Sequence, residues 1–182
     1  PDKGTIGYGK IVNGHDEIVA EVRRQIKMGA DWIKVHVTGL IPNHKERGEI
    51  QVWSKEEMEW ICKVANDLGT PVMGHCRGSN SIRDAAISGF DLILHGTLME
   101  TDALEAVVEQ KTPIAPTFTF QANLIDYGHF VGASNYIKDL FRREIIDSAV
   151  MLRKAYDQGV PILCGTESGF SVTPYGQWHY RE

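Results

Sequence analysis

The sequence predicts a parallel α/β domain, and two observations carry that prediction. Short apolar runs of about six residues, the usual strand length, alternate with longer amphipathic stretches along the whole chain. Three of these runs open just after a glycine that stops a helix: Gly29 before Asp31, Gly69 before Pro71, and Gly89 before Asp91. Repeated helix-to-strand turns of this kind belong to sheets whose strands all point one way. No low-complexity segment, proline-rich linker or charge block divides the chain, so residues 1–182 are expected to form one domain or part of one.

Taken in order, the first helix is expected over 16–28, with Ile18, Val19, Val22 and Ile26 on one side and Gly29 as its stop. The run DWIKVHV predicts a strand at 31–37. Ser54 with Glu57 three residues on is a capping box, opening a helix that runs to Leu68 and stops at Gly69. PVMGHC predicts a strand at 71–76, residues 81–88 a short helix ended by Gly89, and DLILHG a strand at 91–96. A helix at 101–109 leads to a strand at 113–118 (PIAPTF), and 134–158 is one long periodic helix ended by Gly159. PILCGT then predicts a fifth strand at 161–166. Two long connections, 38–53 and 119–133, leave the C-terminal ends of strands. α/β folds place their chemistry there, and both are expected to be loops that wall a substrate site.

Composition narrows the function classes. The 182 residues are 42% hydrophobic and carry a net charge of −5, which excludes a disordered chain and leaves no surplus of Lys and Arg to neutralise phosphates. Nucleic acid and membrane surfaces are therefore not expected as partners. No apolar run approaches the roughly 18 to 20 residues of a membrane span. Cys62, Cys76 and Cys164 stand far apart among apolar neighbours and are expected as buried free thiols, which favours a reducing, cytoplasmic location. The chain opens on Pro1 and stops at Glu182 in what reads as the start of a helix, so it is expected to be a piece of a longer protein.

The chemistry gathers at strand ends. Along DWIKVHV, alternation puts Trp32, Lys34 and His36 on one face and Ile33, Val35 and Val37 on the other. If the apolar face meets helices, Lys34 is expected to be buried on the opposite side, where desolvation frees its amine for a Schiff base, for proton abstraction or for a carbamate. The other reading is an edge-strand lysine that reaches solvent. His75 and His95 stand near the C-terminal ends of consecutive strands, an address that suits zinc or another borderline divalent ion. Glu167 closes the fifth run between Gly165 and Gly169, which let the backbone approach closely. Lys34, His75, His95 and Glu167 together point to a metal hydrolase. No dinucleotide fingerprint, P-loop, nucleophile elbow or CxxC pair competes.

On these motifs the chain resembles the metal-dependent amidohydrolase superfamily, in its imidazolonepropionase and prolidase-like branch. GADWIKVHVTG is similar to that branch's strand-four segment, PVMGHC and DLILHG to its strand-five and strand-six histidine segments, and GVPILCGTESG to its strand-eight segment. The resemblance implies a (β/α)8 TIM-type barrel of which this chain is a part, about strands 4 to 8. It implies that Lys34 is a carbamylated metal ligand, that His75 and His95 hold one of one or two divalent ions, zinc foremost, and that Glu167 is a metal ligand and the general base. The family usually has aspartate at the position of Glu167, and its strand-one His-x-His has no counterpart among the seven histidines, including His44. A barrel of about 250 residues exceeds the 182 present.

The implied activity is hydrolysis of an amide or peptide-like C–N bond, as in dipeptides or N-acyl amino acids, by metal-activated water. Arg77, Trp53, Tyr127 and His129 are the candidates for binding the substrate's carboxylate and side chain. Two alternatives stay open: a hydrolase of phenylurea or carbamate-type amides, and a noncatalytic fragment. Open sheet edges predict a homo-oligomer.

Overall fold

In the computed structural model, residues 9–39, 50–170 and 172–182 are described. Four parallel strands form a sheet in the order β1 (Ile33–His36), β2 (Val72–Arg77), β3 (Leu92–Thr97) and β4 (Ile114–Ala115). Each neighbouring pair is separated in sequence by helices: α2 (Lys55–Asp67), α3 (Ser79–Ser88) and α4 (Thr101–Gln110), with α1 (Gly14–Lys27) ahead of β1. The expected alternation of helix and parallel strand is thus observed.

One face of the sheet makes the core. Ile33, Val35 and Val37 of the first strand segment, Val72 and Cys76 of β2, and Ile93 of β3 are all buried, packed in one cluster with Ile18, Val22, Met58, Ile61 and Ala85 from the helices. Removing each large aliphatic side chain from water contributes about 1.5–3 kcal/mol, so this face sets the orientation of every strand. The other face is left to carry chemistry.

The capping box forms as expected, and it does more than cap one helix. Ser54 Oγ accepts from Glu57 N–H at 3.2 Å, and Glu57 Oε2 accepts from Ser54 N–H at 3.0 Å. Glu57 Oε1 also accepts from Gly14 N–H, the first residue of α1, at 3.2 Å. The hydrogen bonds from both helix ends hold the Glu57 carboxyl below its ordinary pKa.

Three expectations are corrected. The run at 161–166 is not a full strand among the described residues: it meets β4 in one parallel bridge, Ile114 with Ile162. Here β4 itself has only two residues, because Pro113 and Pro116 flank it and neither has an N–H for a ladder. The connection at 119–133 is not a loop but helix α5 (Phe118–Tyr127) followed by a 3-10 turn, Gly128–Val131. Finally, Cys62 and Cys76 are buried and free as expected, whereas Cys164 is free but exposed. The last long helix, α6 (Asn135–Asp157), runs as expected. Among the described residues, no helix is long and apolar enough to cross a membrane.

Candidate active site

The site is built on the C-terminal ends of β2, β3 and β4. Parallel register pairs Lys34 with Met73 and His36 with His75, so Lys34, His36, Met73, His75 and Arg77 share the face opposite the core. The imidazoles of His36 and His75 lie with ring centroids 5.1 Å apart, and those of His75 and His95 4.2 Å apart. His36 was not singled out from sequence, although the same alternation that marked Lys34 places it beside the pair.

His95 reaches this group against the period of its strand. In register it stands opposite Cys76, a core residue, and strict alternation would send it into the core with Ile93. Two features turn it. The pairing slips between Cys76 and Arg77, and the backbone at His95 and Gly96 is left-handed, with φ of 73° and 61°. Glycine is required at 96, since a Cβ there would stand 3.0 Å from Ile114 Cγ2.

A chain of hydrogen bonds then runs through both rings. The Gly39 carbonyl lies 2.9 Å from His75 Nε2, and a carbonyl only accepts, so Nε2 carries the proton. The Thr117 hydroxyl lies 2.7 Å from the Pro116 carbonyl and 2.6 Å from His95 Nδ1, and its one proton serves one of the two. His75 Nδ1 and His95 Nε2 stand 2.7 Å apart. With Thr117 donating to His95 Nδ1, His95 Nε2–H donates to His75 Nδ1 and the chain closes; with Thr117 donating to Pro116, both nitrogens turn lone pairs inward.

In the arrangement with both lone pairs inward, the two nitrogens could share a cation. Burial pushes His75 down to about 3 and His95 well below its ordinary value, so an added proton is disfavoured at neutral pH. A borderline divalent ion suits two neutral imidazoles, and outer partners that fix the ring tautomer are the usual support of metal-bound histidine. Two nitrogens on one zinc at about 2.0–2.1 Å each are separated by about 3.3 Å, so the present spacing of 2.7 Å would have to open by about 0.6 Å. The donor chemistry fits. Among the described residues, no three His, Cys, Asp or Glu side chains are grouped to hold an ion.

Glu167 flanks this pair. Its Oε2 lies 3.6 Å from His95 Nδ1, and its backbone is left-handed with φ of 51°. Burial raises its pKa, against a lowering by Lys34 and Arg77. With the imidazole lowered, His95 is uncharged and the contact is not an ion pair. Next to it Gly169, at φ of 106°, passes so close to the Tyr175 phenol that a Cβ would collide with it.

The remaining candidates are placed less uniformly. Lys34 is exposed among the described residues, where burial was the expectation: it stands on the first strand of the described sheet and lines a cleft of about 720 Å³ with His36 and Trp53. Trp53 is half-buried, its indole donating to the His36 carbonyl at 2.7 Å. Arg77 is buried and bound to Glu144 of α6 at 2.5 Å, with Gln121 of α5 donating to the same carboxylate oxygen at 2.9 Å. Tyr127 is exposed at the end of α5, near Trp178 and Arg181, and His129 is exposed against Phe130. Neither is seen at the histidine pair. Thr117 was missed from sequence; a threonine after a proline at a strand end carries no signal until its backbone is known.

Five non-glycine residues among those described have positive φ, and three of them, His95, Thr117 and Glu167, meet at this point. Strained backbone concentrated where side chains converge is a pointer to a functional site.

Comparison with known proteins gives the family and the fold. A profile of the amidohydrolase family matches residues 3–175. The solved structure of a Xaa-Pro dipeptidase with methionine bound in its active site superposes with a TM-score of 0.74 at 30% identity, over 92% of this chain and 42% of that one. A putative prolidase from Bifidobacterium longum gives 0.75 at 22% identity, over 92% of this chain and 43% of that one. An uncharacterized protein of Mycobacterium tuberculosis is 22% identical over 94% of this chain and 46% of its own length. The chain thus spans under half the length of these relatives, and its fold is the α/β type of their barrels, in part.

Proposed function

The chain belongs to the amidohydrolase family, and from that premise we propose that the protein hydrolyses a C–N bond of a small amide or peptide, with Xaa-Pro dipeptides and N-acyl amino acids as the substrate classes. The observation that carries the reading is the convergence of His75 Nδ1 and His95 Nε2 at 2.7 Å, with Gly39 and Thr117 as the outer partners of the two rings. The 30% identity to a Xaa-Pro dipeptidase makes such dipeptides the first to assay.

His75 and His95 would hold a divalent ion, with Lys34, as its carbamate, and Glu167 as further ligands. Such an ion, zinc foremost, supplies a water of lowered pKa and polarises the scissile carbonyl. The chain's own residues do the rest. Glu167, its basicity increased by burial, takes a proton from the attacking water on its carboxylate and returns it to the leaving amine. Gly39 and Thr117 hold the two rings from their outer sides. Trp53 and His36 wall the open side of the cleft, where a substrate side chain would lie.

The test is a dipeptidase assay with metal analysis on the full-length protein. The His75→Ala and His95→Ala variants are each expected to lose bound metal and about 100-fold or more in kcat/KM. Full activity and full metal content in both would overturn the proposal.

A further inference from the structure

Glu182 reaches back across the fold to the start of α5. Its two carboxylate oxygens accept from Phe118 N–H at 3.0 Å and Thr119 N–H at 2.7 Å. These are the first two amides of the helix and have no partner inside it. The residue in capping position is Thr117, a type that ordinarily does this work with its own hydroxyl from an extended backbone.

Thr117 does not. Its φ of 59° and ψ of 35° are left-handed, and it makes no side-chain cap bond. A β-branched residue in that conformation is a genuine outlier. Its hydroxyl lies between His95 Nδ1 and the Pro116 carbonyl, at 2.6 and 2.7 Å. The cap and the histidine contact are thus divided between two residues 65 positions apart, and the same short segment, 117–119, receives both.

We propose that Glu182 is a positioning residue for the histidine pair: by capping α5 it releases the Thr117 hydroxyl to hold His95 Nδ1, and through that bond it keeps His95 Nε2 turned toward His75. Glu182 touches neither histidine. Without it, two helix amides lose their acceptor, and the Thr117 oxygen is the group next to them that is able to replace it. The two demands on one hydroxyl then compete.

The consequence is a coupling that a simple helix cap would not show. The variants are Glu182→Ala, Glu182→Gln, Thr117→Val and the Glu182→Ala/Thr117→Val double, all in the full-length protein. The readouts are the His95 imidazole nitrogen resonance at Nδ1 by NMR, in the protein as purified, and kcat on the substrate that the dipeptidase assay identifies. Glu182→Ala is expected to displace or broaden that resonance and to lower kcat about tenfold, the size of effect seen for outer partners of metal-bound histidine. Thr117→Val should do the same, and the double variant should be no worse than Thr117→Val alone. Glu182→Gln keeps one acceptor and should fall between, and it carries the comparison if the alanine variant does not fold.

An unchanged His95 resonance in both Glu182 variants overturns the inference, as does a loss of kcat from Glu182→Ala that is equally large in the Thr117→Val background. The kcat arm rests on reading His95 as part of the active centre. A displaced resonance with unchanged kcat would remove that reading and leave the positioning role of Glu182 supported.

Discussion

His75 Nδ1 and His95 Nε2 stand 2.7 Å apart although their strands' alternation assigns the two residues to opposite faces of the sheet. The meeting is made by backbone and not by side-chain length. A slipped register and two consecutive left-handed residues carry His95 round the end of β3.

Gly96 is therefore expected to be intolerant. Gly96→Ala adds a Cβ 3.0 Å from Ile114 Cγ2 at a φ of 61°, costing about 1–3 kcal/mol in strain. Urea denaturation should show that loss. The same variant should lose dipeptidase activity well beyond what its stability predicts, because His95 swings away from His75.

Lys34 is proposed as a ligand, and its exposed position on the first strand of the described sheet makes the proposal easy to test. In the full-length protein, Lys34→Ala should reduce metal retained after dialysis to background. Lys63→Ala, which removes an exposed lysine paired with Asp67 on α2, should leave it unchanged. Equal zinc content in the two variants would end the ligand assignment for Lys34.

The buried Arg77–Glu144 pair ties the end of β2 to α6. Glu144→Ala takes the carboxylate from a buried guanidinium and should destabilise the protein by about 3–5 kcal/mol. Arg77→Met/Glu144→Leu removes both charges and should recover much of that loss. A double variant as unstable as Glu144→Ala would show that packing around α6, and not charge burial, sets the cost.

Thiol chemistry separates the three cysteines. Cys164 is exposed, whereas burial pushes Cys62 up to about 12 and Cys76 higher still. Since the thiolate is the reacting species, Ellman's reagent at pH 8 should titrate one thiol in the native protein and three in urea. Two fast thiols in the native state would contradict the packing of α2 or β2.

Much of this was legible in the sequence, and what was not has identifiable causes. Strands at Ile33, Val72 and Leu92 and the helices before them follow from period and from helix-stop glycines, both local signals. The capping box at Ser54 is local too. Helix α5 escaped because its cap is Glu182, 64 residues from Phe118, so no start signal lies beside FTFQANLIDY. For Lys34, alternation gave the right face, but burial depends on what lies beside the strand, which no period encodes. Arg77 was read as a hand for substrate, and its charge is met by Glu144, 67 positions away.

The carboxylate of Glu57 has a wider reach than its place in one capping box suggests, since it accepts from Gly14 N–H at the start of α1 and from Ser54 N–H at the cap of α2. Two helices that share a single cap do not fray independently. They form one cooperative unit, and that unit is a wall of the cleft that Lys34 lines. With its pKa held low, Glu57 keeps both ends tied through the ordinary carboxylate range. As the pH falls below it, one proton releases the two helices together, so the Lys34 side of the site should loosen in a single step while the histidine pair, built on β2 and β3, stays in place.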